Sequence, residues 1–265
     1  MSSKPEGKKI FFLYPQSVIE ELAKELVRHE YEVYLIKDRD IVLDLIRISQ
    51  NSILYINIDE ILKEEEWEEY INSILNNDDL NKKVDIGLLT YRRKEHLVQK
   101  YLLELGIKGG YIEIDLKIKN TLAILLKLLD VNEAKGRRKY LRINSDKNAK
   151  FNIEFTNPNS SFGSKDYING TINNISSFGM ACKIIDEKYK DILVEKLKLN
   201  SIQLNLKGLI CIVTGEIHLK REEFLIIKFD EKTEPFVKNK IYHYIYNELQ
   251  NNMEKEIEII RKSKA

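Results

Sequence analysis

The sequence is poor in several features that define common protein classes. Its only two cysteines, Cys182 and Cys211, lie in apolar, strand-like runs, which indicates buried thiols in a reducing compartment rather than a disulfide framework. No stretch approaches the roughly eighteen uncharged apolar residues that a membrane helix needs. The first nine residues are polar and lack the apolar core of a signal peptide. These absences predict a cytoplasmic protein with no membrane span.

The chain also has almost no excess of either charge. Its formal net charge is +1, from 43 basic and 42 acidic residues. Nucleic-acid-binding proteins normally carry a strong basic excess, so we do not expect nucleic acid as a partner. An anionic ligand would have to be bound by a local cluster of cations.

One such cluster lies near the middle of the chain, in the sequence Gly136-Arg-Arg-Lys-Tyr-Leu-Arg-Ile-Asn144. It contains Arg137, Arg138 and Arg142. Arginine suits phosphate groups and guanine edges, because its planar guanidinium group donates paired hydrogen bonds and stays charged. Taken alone, however, an RRxxxR sequence is more often a solvated basic linker.

Before this cluster, apolar strand-like runs alternate with helical patterns. The predicted strands cover residues 9–14, 33–36, 53–56, 86–89 and 111–114. A helical stripe of apolar residues follows each strand. Repeated strand–helix units with short connections favour a flavodoxin-like parallel sheet of five strands with helices on both faces.

The residues of this half resemble the receiver domain of bacterial response regulators. The segment 84–90 is similar to the fourth receiver strand with its terminal hydroxyl residue, Thr90. The segment 106–111 is similar to the turn that leads into the fifth receiver strand. The resemblance implies the same (βα)5 fold.

The departures from the receiver pattern concern its phosphorylation site. Receivers bind magnesium through an acidic pair after the first strand, where this chain has Tyr14 and Pro15, which offer no carboxylate. The phospho-accepting aspartate would fall on Asn57 or Asp59. Because phosphoryl transfer relies on cations that stabilise the developing charge, we interpret this half as a pseudo-receiver that contacts an unidentified protein partner.

After the arginine cluster the pattern changes to short alternating strands. They cover residues 151–155, 168–172, 180–184, 202–206, 210–213, 216–219 and 224–229. Antiparallel strands without intervening helices indicate a small barrel or sandwich. A long terminal helix follows, with apolar residues every four positions from Ile241 to Ile257.

A second motif, Asn174-x-Ser176-x-x-Gly179, lies within this β-rich half. On its own, this motif is typical of an ordinary turn. Combined with Arg138-x-x-x-Arg142 upstream, it closely resembles the two-part motif of PilZ domains. These are small β-barrels that bind the bacterial second messenger cyclic di-GMP. The resemblance runs from the arginine cluster to the start of the terminal helix.

The PilZ resemblance implies a ligand and a set of binding residues. Cyclic di-GMP carries two phosphates and two guanines, and an arginine fork can bind either group. Asn174 and Ser176 would contact guanine, while Gly179 keeps the turn in shape. No metal, cofactor or catalytic group is called for, so we expect no enzymatic activity. The expected ligand-binding residues are Arg137, Arg138, Arg142, Asn174, Ser176 and Gly179.

The sequence therefore predicts a pseudo-receiver in residues 1–132, a linker carrying RxxxR in residues 133–144, and a PilZ barrel with its helix in residues 145–265. The leading hypothesis is an allosteric effector in which cyclic di-GMP rearranges the domains and alters a protein–protein interaction. The alternative is a phosphorylation-dependent response regulator with a PilZ-like output domain. A third hypothesis is a purely structural interaction protein whose PilZ fold has lost its ligand. Self-association through the terminal helix, giving a homodimer, is left open.

Overall fold

The computed structural model describes residues 7–49, 51–115, 117–156, 165–185 and 191–264. Contacts between residues divide the chain into two compact units. The first unit contains the residues up to Lys139 together with those from Leu249 onward. The second unit contains residues 140–248.

The first unit is built on a parallel sheet whose five strands have the order β2-β1-β3-β4-β5, which confirms the predicted flavodoxin-like arrangement. Its central strands are buried on both faces. Phe11 of β1 stacks on Tyr34 with ring centroids 5.7 Å apart, and Phe12 stacks on Tyr55 at 5.5 Å. Continuous apolar runs are typical of such strands, because helices cover both faces. The strands are β1 Lys9–Leu13, β2 Val33–Ile36, β3 Ser52–Asn57, β4 Val84–Thr90 and β5 Gly110–Glu113.

Helices follow the strands of this sheet as the apolar periodicity predicted. In the first of them Ile19, Leu22 and Leu26 are completely buried. Each such side chain stabilises the fold by roughly 1.5–3 kcal/mol. The helix after β4 is short and continues as a π-helical segment, Gln99–Glu104. The helices are α1 Ser17–Arg28, α2 Arg39–Ile48, α3 Glu64–Leu75, α4 Asp78–Asn81, α5 Glu95–Val98 and α6 Ile118–Val131.

The second unit is an antiparallel barrel. Its sheet has the order β6-β8-β7-β10-β11-β12-β9, and an additional pairing of β8 with β9 closes six of the strands into a ring. The two-residue strand β6 adds to β8 outside this ring. The strands are β6 Ile143–Asn144, β7 Lys150–Thr156, β8 Lys165–Ser176, β9 Gly179–Ile184, β10 Lys198–Leu206, β11 Leu209–Arg221 and β12 Phe224–Phe229.

The barrel confirms the predicted small antiparallel fold but corrects one detail. Residues 210–213 and 216–219 were expected as separate strands, whereas β11 runs through both of them. Strand β11 changes its pairing with β12 between Ile217 and Leu219, so a bulge bends the strand instead of breaking it. Alternate residues fill the interior, among them Ile168, Ile202 and Ile227, which are completely buried.

The terminal helix α7 extends from Pro235 to Lys264 and contributes residues to both units. Ile241 and Ile245 are buried in the second unit. Leu249 and Met253 are buried in the first. No helix in the described part of the chain is long and apolar enough to cross a membrane.

Within the first unit, the end of α7 contacts the edge of the parallel sheet. The carboxamide of Gln250 accepts a hydrogen bond from the main-chain N–H of Leu35 at 3.0 Å and donates one to the carbonyl of Val33 at 2.9 Å. An ion pair joins Arg261 to Asp38 at 3.0 Å. A side chain therefore satisfies main-chain groups of the edge strand β2, which would otherwise face solvent or another chain.

Candidate ligand-binding site

The strand β6 places the end of the arginine cluster beside the second motif. Ile143 pairs with Ile175, and Asn144 pairs with Asn174. The side chain of Ile143 is buried, which fixes this segment on the barrel. Arg142 directly precedes the strand and is exposed. The pairing therefore brings Arg142 next to the end of β8 that carries Asn174.

Ser176 and Gly179 form the two ends of the turn between β8 and β9. The hydroxyl of Ser176 donates to the carbonyl of Gly179 at 3.1 Å and accepts a hydrogen bond from the N–H of Phe178 at 3.3 Å. Ser176 is only 4% exposed. A Cβ atom on residue 179 would come within 2.4 Å of the Ile227 carbonyl oxygen, so only glycine fits. Both motif residues thus determine the shape of this turn.

An aromatic pair joins the two motifs at the rim of the barrel. The rings of Tyr140 and Phe178 are stacked, with centroids 4.5 Å apart and planes at 6°. The ammonium group of Lys228 lies 4.7 Å from the centroid of the Phe178 ring. These three residues are not among the binding residues predicted from the sequence. Tyr140 and Phe178 occupy the variable positions of the two motifs, and an aromatic residue at each was the available signal.

The outer face of β8, β9 and β12 forms a shallow floor next to this rim. Asn174 is paired with Ala181, which is paired with Ile226. Gly179 is paired with Lys228 in the adjacent row. Neighbouring strands lie about 4.8 Å apart, so Asn174 and Ile226 are roughly 10 Å from each other. Small residues in the middle of this floor leave room for a flat group to approach the strands.

Cations surround the floor. Lys228 is 46% exposed and lies 3.8 Å from Glu231, while Lys183 is 49% exposed and lies 3.3 Å from Glu223. Each lysine thus has a glutamate beside it, and the exposed Arg142 is a third cation near this surface, whose centre is uncharged. Local cations of this kind favour an anionic ligand.

The first two arginines of the cluster are grouped differently from the third. Arg137 and Arg138 are exposed and belong to the first unit, whereas Arg142 belongs to the second. Of the six residues predicted to bind the ligand, Arg142, Asn174, Ser176 and Gly179 come together within the second unit.

A separate cavity lies at the carboxyl ends of β3 and β4 in the first unit, where the receiver resemblance places a phosphorylation site. It has a volume of about 160 Å³, and its lining includes Asp59, Trp67 and Lys94. The carboxylate of Asp59 accepts hydrogen bonds from the hydroxyl of Thr90, at 3.0 Å, and from the N–H of Tyr91. No cluster of residues able to hold a metal ion occurs in the described ranges.

Ion pairs surround one side of this cavity. Lys94 and His96 each lie 3.0 Å from the carboxylate of Glu64. The hydrogen bond from Lys94 lowers the pKa of Glu64, and the contact with His96 adds to this effect. Glu64 therefore stays ionised at neutral pH, with the ammonium group of Lys94 beside it.

Comparison with known proteins returns solved structures only. No protein-family model matches the chain, and no curated protein does. The matching structures include PilZ domains, the family that the two motifs resemble.

Several of these structures are complexes with cyclic di-GMP, including the three that follow. The PilZ domain of YcgR from Escherichia coli is 16% identical; the match covers 46% of this chain and 98% of that one, with a TM-score of 0.34. The K. pneumonia MrkH complex is 15% identical, with coverages of 45% and 55% and a TM-score of 0.34. Borreliella burgdorferi PlzA is 18% identical, with coverages of 48% and 48% and a TM-score of 0.28. The match thus spans about half the length of MrkH and PlzA.

Proposed function

We propose that this protein is a non-enzymatic receptor for cyclic di-GMP, which binds on the outer face of the barrel beside the arginine cluster. The observation that carries the proposal is the pairing of β6 with β8. This pairing sets Asn144 opposite Asn174 and therefore brings Arg142 to the floor formed by Asn174, Gly179 and Ala181.

The chemistry of the site fits the two kinds of group in the ligand. The guanidinium group of Arg142 can donate paired hydrogen bonds to a phosphate or to the O6 and N7 atoms of guanine. The amide of Asn174 can both donate to and accept from a guanine edge. Gly179 and Ala181 leave the strands open to a planar base, and Ile226 offers it apolar contact. Arg137 and Arg138, which immediately precede this segment in the chain, complete the proposed set of binding residues.

The proposed output is a change in protein–protein interaction. Ligand binding to Arg138 and Arg142 would favour one arrangement of the two units over others, which is a population shift driven by differential affinity. The receiver-like unit would then contact a protein partner, in a cytoplasmic signalling role.

Calorimetry with cyclic di-GMP tests the receptor function. We expect saturable binding to the wild-type chain and none to Arg142→Ala or Asn174→Ala at tens of micromolar protein, with circular dichroism unchanged. Arg28→Ala removes an exposed arginine of the first unit and should bind like the wild type. Titration with GTP controls for general attraction of anions. Absence of saturable heat with the wild type would exclude the proposal.

The alternative function, phosphorylation of the receiver-like unit, has one observation in its favour. Asp59 lies in a cavity together with the hydroxyl of Thr90 and the ammonium group of Lys94. Labelling with acetyl phosphate, lost in Asp59→Asn, would distinguish this function from ligand binding.

A further inference from the structure

Arg142 lies in the main chain between two points of attachment to the barrel. On one side, Ile143 is buried and paired with Ile175. On the other side, two residues earlier, the ring of Tyr140 is stacked on Phe178. A residue held on both sides has little freedom to move away from the floor of the site.

The surface on which Tyr140 stacks is itself fixed. The N–H of Phe178 donates to the Ser176 hydroxyl, and its carbonyl accepts a hydrogen bond from the N–H of Phe229 at 2.8 Å. The cation of Lys228 lies over the same ring. Phe178 is therefore part of the barrel rather than of a freely moving loop, and it can hold a neighbouring segment in place.

We propose that Tyr140 is a positioning residue for the cyclic di-GMP site, an inference that rests on the function proposed above. Its stack on Phe178 holds the segment 140–142 against the barrel before the ligand arrives. Arg142 is then presented close to Asn174, and the ligand does not have to order this part of the chain. Pre-organisation raises affinity because the entropy of ordering is lost on folding instead of on binding.

An alternative role, in which Tyr140 fills the place of a guanine of the ligand, makes a different prediction. Parallel stacking of Tyr140 on Phe178 is the geometry in which a purine would stack on that ring. If Tyr140 occupied the place of a guanine, the ligand would have to displace it, and removal of the ring would strengthen binding. The geometry favours positioning, because Tyr140 is only three residues from the paired Ile143 and therefore belongs to the short segment that carries Arg142.

The test compares cyclic di-GMP affinities of the full chain and four variants by calorimetry. Tyr140→Ala and Phe178→Ala should each weaken binding about three- to tenfold, as expected for the loss of one aromatic pair. Tyr140→Phe keeps the stack and should bind within about twofold of the wild type, since its ring contact is retained. Tyr167→Ala removes a half-exposed tyrosine elsewhere on β8 and should not change affinity.

Hydrogen exchange of the ligand-free proteins supplies the second measurement. The amides of Leu141 and Arg142 should exchange faster in Tyr140→Ala than in the wild type, in Tyr140→Phe or in Tyr167→Ala. Equal or tighter binding by Tyr140→Ala would overturn the positioning role while the receptor function stands. No binding by the wild type would instead remove the receptor function, and the positioning role with it.

Discussion

The side-chain amide of Asn57 donates a hydrogen bond to the main-chain carbonyl of Tyr14 over 3.1 Å and joins the carboxyl ends of β3 and β1. Asn57 is completely buried, and Tyr14 adopts a positive φ of 54°. In the receiver resemblance this is where acidic residues would bind magnesium. A neutral amide bound to a carbonyl now occupies that region, and neither group offers the carboxylate oxygens that a magnesium ion prefers.

We predict that acetyl phosphate does not stably label the protein. The carboxylate of Asp59 accepts hydrogen bonds from Thr90 and Tyr91. Tyr14 and Pro15 stand where receivers carry their metal-binding acidic pair, so no carboxylate there can bind the cation that stabilises the developing charge. Incubation with radiolabelled acetyl phosphate and Mg²⁺ measures this directly. A stable label that disappears in Asp59→Asn but remains in Asp115→Asn would instead establish the phosphorylation-dependent alternative.

We predict that Gly179→Ala destabilises the barrel by about 1–3 kcal/mol, the usual cost of overpacking. The added methyl group would come within 2.4 Å of the Ile227 carbonyl oxygen and would push β9 away from β12. Urea unfolding monitored by fluorescence gives the change in free energy. Gly208→Asn is the matched control, because Gly208 has a positive φ that asparagine tolerates and nothing within 4 Å of its Cβ position. Equal stabilities of the two variants would refute the steric argument.

The ion pair between Lys207 and Glu248 is predicted to stabilise the second unit. Glu248 is 1% exposed and lies 2.6 Å from the ammonium group of Lys207. Lys207→Met removes that cation beside a buried carboxylate and should cost about 1–3 kcal/mol. The double variant Lys207→Met, Glu248→Gln should recover part of the lost free energy of unfolding, measured with urea. If it recovers none, the charge of Glu248 is not the cause of the loss.

The same pair gives a pH dependence with a defined sign. The hydrogen bond to Glu248 is the main reason why the pKa of Lys207 is raised. The stabilisation is therefore fully present below the ordinary pKa of lysine and is lost as the pH rises through the raised value. As the pH rises above about 10.4, the ordinary pKa of lysine, wild type should lose more stability than Lys207→Met.

Both cysteines are predicted to be unreactive in the folded protein. Cys182 is completely buried and Cys211 is 5% exposed. Burial raises the pKa of both thiols, with Lys240 opposing the effect at Cys211. At pH 8 few thiolates form, and a disulfide reagent such as DTNB should label neither residue until denaturant is added. Thr214→Cys, at an exposed position of β11, is the positive control. Rapid labelling of the native wild type would contradict the buried positions.

The sequence contained enough information for both folds. Buried runs such as that of β1 and the regular stripes of helices such as α1 predicted the parallel sheet, because burial on two faces or on one face leaves a period in the sequence. The alternation in β7 and β10 predicted the barrel for the same reason. The domain boundaries stay a prediction.

Other features could not be read from local patterns. β6 has two residues, too few for any period, and it exists because β8 offers Ile175 and Asn174 as partners. The continuity of β11 past Gly215 depends on its neighbours β10 and β12. In the candidate site, the motif supplied Arg142 and Asn174, but the stack of Tyr140 on Phe178 joins residues far apart in the chain.

The bidentate contact of Gln250 with Val33 and Leu35 determines the register of the last part of α7 in the first unit. One turn of helix advances 5.4 Å along its axis, whereas a hydrogen bond tolerates a change of about half an ångström. A slip of one turn would therefore lose both bonds at once and move Arg261 away from Asp38. Because the carboxamide of Gln250 matches one pair of main-chain groups, the carbonyl of Val33 and the N–H of Leu35, the end of α7 docks in this one position on the sheet.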